Sequence, residues 1–186
     1  MKQLIVFWTV FVFCVVTKAQ DHLMLKQGSR LQYSVTVGGR TFPMFALIES
    51  LTADNLSLAW NFESGRSGKF IMKRPSLDSA RFGYWNQPID GEELELPASQ
   101  NVLFLSRLIF SSLQKKKEAV FDEYTIKVKP PVDGNAFKLK NRIIDAIAVT
   151  GDSGAKIWVL NNPDTPLILK IEGNPFGVDV ELTEIN

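Results

Sequence analysis

The sequence predicts a mainly β chain with an inserted helix: a curved antiparallel sheet, a half-barrel or open barrel, capped by one or two helices. Three observations carry this. Leu31, Tyr33, Val35 and Val37 alternate with Gln32, Ser34 and Thr36, and the same period of two returns in Leu56, Leu58, Trp60 and Phe62 and in Val178, Val180 and Leu182. Short clusters of Gly, Pro, Asn and Asp punctuate the alternating runs, as turns require. Between two groups of strands lies one long stretch with helical spacing, Gln100 to Lys116.

Taken in order, the first strand runs from Leu31 to Val37, and Gly38-Gly39 fits a two-residue hairpin turn. Thr41 to Ile48 returns, with Pro43 marking an edge or an irregular start. Ala53-Asp54-Asn55 turns the chain into the strand that ends at Phe62, and residues 64–68 lead into Lys69 to Lys73. Ser76 is a candidate cap for a short helix over Pro75 to Trp85, and Gly91 to Leu96 reads as a short strand. Ser99 opens the long helix. There Arg107, Ser111 and Gln114 fall on one narrow stripe and apolar residues fill most of the remaining circumference, so the helix needs cover on several sides. Ala119 to Val128 is one bent strand or two short ones, and residues 130–135 form a loop. Phe137 to Thr150, Lys156 to Leu160, Pro166 to Glu172 and Gly177 to Ile185 complete the strands. No repeat, low-complexity tract or linker interrupts residues 20–186, which read as a single domain with a frayed start.

The first residues carry a different signal. One positive charge at Lys2 precedes an apolar run from Leu4 to Val16, too short for the ~20 residues of a membrane-spanning helix. Thr17-Lys18-Ala19 places small residues where a signal peptidase requires them. Residues 1–19 therefore read as a secretory signal cleaved after Ala19, which predicts export to a periplasm or an extracellular space. Bulky Phe11-Val12-Phe13 before Cys14 argue against lipidation there, and cleavage leaves a chain without cysteine. An exported chain free of disulfides fits a bacterial envelope. Asn55-Leu56-Ser57 matches a glycosylation acceptor, which matters only in a eukaryotic secretory pathway. Loss of Lys2 and Lys18 turns the formal charge from +1 to −1, and so near-neutral a chain implies no nucleic-acid partner.

The composition excludes most chemistry. Gly151-Asp152-Ser153-Gly154 resembles a serine-nucleophile motif, but the only histidine is His22 and Ala155 stands where a further glycine would follow. With no mature cysteine and one histidine, tetrahedral metal sites are unsupported. Asp133-Gly134-Asn135 and Asp152 are turn residues rather than calcium ligands. No cofactor is implied. Glu92, Glu93, Glu95, Asp122, Glu123, Asp145 and Glu181 are the acids that a carboxylate-dependent hydrolase acting on carbohydrate would draw on. Lys115 to Lys117 favour the C-terminal end of the helix dipole and offer a contact for anionic lipid at a membrane surface. Phe82, Tyr84 and Trp85 form an aromatic cluster that suits either the core or a protein partner, the basis of an alternative reading as an envelope interaction module with a solid core.

An exported chain that opens on Gly28-x-x-Leu31-x-Tyr33, carries helical material between two meanders and closes on Ile157-Trp158-Val159, Pro166-Leu167-Ile168-Leu169-Lys170 and Val180-Glu181-Leu182-Thr183-Glu184-Ile185 resembles the periplasmic half-barrel proteins related to the outer-membrane lipoprotein carriers. The likeness covers most of residues 20–186 and lies in element order and strand rhythm. It implies a sheet closed on one side by helices around an apolar cavity able to take acyl chains. Carriers of that group keep an arginine within the cavity, a role to which Arg107 does not align. The expected function is thus a non-enzymatic domain that binds a lipid or an acylated protein. Trp60, Phe62, Phe70, Phe104, Leu108, Phe110 and Trp158 are its expected lining residues.

Overall fold

The computed structural model describes residues 23–130 and 136–186. The signal segment, Cys14, His22 and Asp133-Gly134-Asn135 lie outside the described residues.

Eleven strands form one large curved sheet, antiparallel except at one edge, and it does not close into a barrel. β1 (Arg30–Val37) and β2 (Arg40–Leu51) are joined through Gly38 and Gly39, both at positive φ, which gives the twist that a two-residue hairpin needs. Pro43 sits beyond Met44, the first β2 residue to pair with β3 (Asn55–Phe62), so its missing N–H takes nothing from that ladder. β4 (Ser67–Lys73) follows, then α1 (Arg74–Ser79) with Pro75 in its first turn. After α1 come β5 (Phe82–Gly83), β6 (Glu93–Glu95) and β7 (Gln100–Asn101), and β6 adds to β4 in parallel. α2 (Arg107–Lys116) leads into the hairpin of β8 (Glu118–Phe121) and β9 (Tyr124–Val128). A small hairpin, β10 (Phe137–Leu139) and β11 (Arg142–Ile144), precedes β12 (Ala146–Gly151), β13 (Lys156–Leu160), β14 (Ile168–Glu172) and β15 (Val178–Ile185).

Across the sheet the order is β6-β4-β3-β2-β1-β15-β14-β13-β12-β9-β8. The first and last strands therefore pair at its centre, and each half is a meander running outward from that seam. Inward residues alternate with outward ones: Leu31, Tyr33 and Val35 on β1, and Met44, Ala46 and Ile48 on β2, are buried. Tyr33 shows how the inner face is tied together. The β14–β15 ladder holds only at Lys170 and Ile171, leaving the Ile168 carbonyl outside it, and the fully buried Tyr33 hydroxyl donates to that carbonyl at 2.7 Å.

Two helices expected from the sequence are shorter than their spacing predicts. The first stops at Ser79, and Phe82–Gly83 is extended and pairs in parallel with β7. Gly83 cannot carry a side chain here, because a Cβ would strike the Trp85 ring. The second helix begins at Arg107, where the Ser106 side chain caps Ile109 N. Residues 100–105 are not helical: after β7 the chain bends at Val102 and Leu103, the latter at φ 58°, and then Leu105 N reaches Pro166 O at 3.0 Å while Leu103 O accepts from Ile168 N at 2.7 Å. Leu103, Phe104 and Leu105 are buried because this segment threads across the inner face, which explains the apolar residues around the supposed helix. What remains in α2 is an ordinary one-sided helix burying Ile109, Phe110 and Leu113. The predicted strand from Phe137 to Thr150 likewise divides into β10, β11 and β12.

The connection between α1 and α2 spans the open side of the sheet. At one edge β6 joins β4. At the other, Asp122 in the tight turn of the β8–β9 hairpin donates from its N–H to Arg81 O at 2.9 Å and accepts from Gly83 N at 2.8 Å. The helices are themselves joined by Arg107, whose guanidinium lies 2.6 Å from Asp78 on α1 and also reaches Ala53 O.

Candidate ligand-binding cavity

On the inner face, between the sheet and the connecting segment, is a cavity of about 720 Å³. That size falls in the range of sites that enclose small apolar ligands, roughly 300–1,000 Å³. The sheet contributes Val35, Met44, Phe70, Ile171 and Val180 from five different strands, each reaching inward by strand alternation. The facing wall is the connecting segment, with Tyr84, Trp85, Val102 and Leu103. The cavity is open where the β1–β2 hairpin ends, since Val37 and Phe42 line it and are 43% and 37% exposed. Its other end, at Phe70, Asn101 and Ile168, is buried.

Charged groups collect at the open end only. Arg40, Glu63 and Arg66 line the mouth, and among the described residues Glu63 is the one acid in the wall. Arg66 donates to Pro88 O, and Asp90 accepts from Ser67 N at 2.8 Å, so the loop after Trp85 is held against the β3–β4 turn. Burial raises the Tyr84 hydroxyl above the ordinary tyrosine pKa, with the Glu92 charge adding to it, so that side chain stays neutral. Trp85 is fixed from behind: its Nε1 donates to Asp122 Oδ2 at 2.9 Å, and its ring stacks on Phe176 at 6.3 Å.

The structure brings two of the seven expected lining residues to the cavity. Phe62 and Phe70 are in its wall. Trp60 stands behind them, its ring 5.5 Å from Phe62 and 6.0 Å from Phe70. Phe104 and Phe110 are in the packed core, Phe104 bridging to Leu167. Leu108 lies elsewhere, 48% exposed on the outer side of α2. Trp158 lies elsewhere too: Ile157 and Val159 point inward on β13, so it faces outward, with Lys170 Nζ 5.7 Å from its ring. Arg107 is outside the cavity in its ion pair with Asp78.

Other sequence features also find their places. Tyr84 and Trp85 of the aromatic cluster line the cavity, while Phe82 is 36% exposed. None of Glu92, Glu93, Glu95, Asp122, Glu123, Asp145 and Glu181 lines it. The Gly151–Gly154 segment is a turn in which Asp152 accepts from Thr125 N at 3.2 Å, tying β12 to β9. Among the described residues, no group of three or more His, Cys, Asp or Glu gathers as a metal site would require. Arg40, Arg66 and Asn101 were not anticipated; nothing in sequence spacing places them beside an apolar cavity.

Comparison of the chain with models of known families, with curated proteins and with solved structures gives no match.

Proposed function

We propose that this protein is a non-enzymatic carrier or receptor that holds one lipid-like molecule inside an open half-barrel, as the resemblance to the lipoprotein carriers leads one to expect. The observation that supports it is the cavity of about 720 Å³, apolar through most of its depth and charged only at its mouth. An amphiphile fits such a gradient, with its hydrocarbon among Phe70, Ile171 and Val180 and a polar group beside Arg40 and Arg66. Burying hydrocarbon contributes about 25 cal/mol per Å² removed from water, so even a short chain gains substantially. The proposed setting is a bacterial envelope, where hydrocarbon ligands need cover in crossing water.

The test is to express the full chain, with its own leader, in a bacterium and weigh the purified protein under native and then denaturing conditions. The expected result is a lipid-sized mass lost on denaturation. A bare polypeptide that also fails to brighten 8-anilinonaphthalene-1-sulfonate overturns the proposal.

A further inference from the structure

We infer that the cavity takes a single-chain amphiphile with an anionic head, a carboxylate or a phosphate, seated tail-first with its charge on the guanidinium of Arg66. This rests on the reading of the cavity as a ligand site and adds the chemistry of what it takes.

Arg66 closes the turn between β3 and β4. Its carbonyl accepts from Phe62 N at 2.9 Å, which fixes its main chain at the mouth, and the residue belongs to the cavity wall. It is half-buried, unlike the exposed Arg40 and Glu63 of the same mouth. One guanidinium N–H is spent on the Pro88 carbonyl, which holds the group against the loop after Trp85. A carbonyl satisfies that donor but not the charge, and the other donors of the planar fork remain. Among the described residues neither Arg66 nor Arg40 forms an ion pair. A half-buried cation without a counter-ion, at the lip of an apolar cavity, gains more from an anion than an exposed one does, because less water screens the pair. Glu63 stands in water and calls for no such partner.

Depth and size set the rest. Below the mouth the wall offers hydrocarbon from Val35, Phe70, Ile171 and Val180, and no cation among the described residues. An anionic head carried inside would lie buried and uncompensated, so the tail enters first. A methylene takes nearly the room of a water molecule in the liquid, roughly 30 Å³, so a cavity of about 720 Å³ holds one hydrocarbon chain of ordinary length and not the paired long chains of a membrane phospholipid. A cationic head meets Arg40 and Arg66 together, against Glu63 alone, and is turned away. The mouth thus sorts amphiphiles by the sign of their heads while the interior accepts any tail that fits.

The experiment uses laurate, dodecyl phosphate, dodecan-1-ol and dodecylammonium, alike in chain length, to displace the uncharged dye 1-N-phenylnaphthylamine from the full protein and from Arg66→Gln at neutral pH. Glutamine drops the charge and keeps an N–H donor. Comparing each ligand between the two proteins cancels differences in solubility. The expected result is that Arg66→Gln binds laurate and dodecyl phosphate about tenfold more weakly, the weight of one charge-assisted bond, and dodecan-1-ol within about twofold of the parent. Of the two anions, the one that loses more names the head group. Equal losses for the anions and the alcohol, or none, overturn the role of Arg66 while leaving the cavity a hydrocarbon site, and so does dodecylammonium binding the parent as tightly as laurate. A parent protein that does not brighten the dye, or releases it to none of the four, overturns the cavity reading and this inference with it. Should Arg66→Gln not fold, added sodium chloride decides on the parent protein. Weaker binding of laurate but not of dodecan-1-ol supports the ion pair, and equal behaviour of the two overturns it.

Discussion

The carboxylate of Asp122 and the indole of Trp85 are joined by a 2.9 Å hydrogen bond that ties a hairpin at one edge of the sheet to the segment roofing its inner face. Asp122 is buried, 6% exposed, and its second oxygen accepts from Gly83 N at 2.8 Å. It occupies a left-handed conformation, φ 52°, which aspartate tolerates better than most residues. One side chain therefore holds together two parts of the chain that the strands themselves do not connect.

Replacing that side chain tests the tie. Asp122→Ala leaves the Gly83 and Trp85 donors without their acceptor, and the expected loss is about 2–3 kcal/mol in urea unfolding. Trp85 fluorescence should shift to longer wavelength as the indole gains access to water. A variant as stable as the parent, with an unchanged spectrum, shows that the hydrogen bonds contribute nothing.

The same residue gives a pH dependence whose sign differs from that of the other shifted acids. Burial raises the Asp122 pKa above the usual aspartate value, only partly offset by the bonds from Gly83 and Trp85, and the Glu123 charge adds to the rise. The folded state then binds the proton more tightly than the unfolded chain, so Asp122 favours folding less as pH climbs from the ordinary aspartate value through the raised one. Asp78 runs the other way. Arg107, and then Arg74, hold its carboxyl below the ordinary value, so its contribution is present above that value and fades as pH falls through the lowered one. Urea unfolding from pH 3 to 7 should show Asp122→Asn and Asp78→Asn changing the slope against pH in opposite senses; slopes of one sign refute the assignment.

Filling the cavity should separate binding from folding. Val180 is 5% exposed and lines the cavity from β15. Val180→Phe puts a ring into space that a ligand would occupy, at a cost expected within about 1–3 kcal/mol. The dye and any co-purifying lipid should be lost while the thermal transition remains cooperative. Retention of both shows that binding occurs elsewhere.

The start of α2 at Arg107 predicts a contrast between Phe104, ahead of the helix, and Leu108, within it. Phe104 is buried and Leu108 is half exposed. Phe104→Ala should cost about 3–5 kcal/mol and Leu108→Ala within about 0.5 kcal/mol. Comparable losses at both positions place the helix wrongly.

The same pair shows how far the sequence could be read. The meanders were legible because half-buried antiparallel strands write their burial into alternation, as in Leu31 to Val37 and Val178 to Leu182. The run from Val102 to Leu105 was not, because an apolar stretch buried on all sides looks alike whether helical or extended. Ser106, the true cap, and Ser99, the expected one, are the same residue type seven positions apart. Trp158 is large and apolar, yet Ile157 and Val159 on either side hold the inward phase of that strand. Asn101 has no signature, since only the folded chain brings it beside Ser76 and the cavity.

The seam between β1 and β15 is the most non-local joint in this sheet. Arg30 and Asn186 exchange main-chain hydrogen bonds at 2.9 and 3.0 Å, and the register runs from Leu31 opposite Ile185 to Val37 opposite Val178. Each wing is stitched mostly from neighbours in sequence, whereas the central joint brings residues more than a hundred positions apart together, at the entropic expense of closing so long a loop. The hollow does not exist until that joint closes, because its floor draws on Val35 from one wing and Val180 from the other. With that joint open, β1 and β15 would each present an unpaired edge, the kind of edge prone to aggregation. A molecule bound across the joint, against both Val35 and Val180, would favour the closed sheet over any form in which the joint is open.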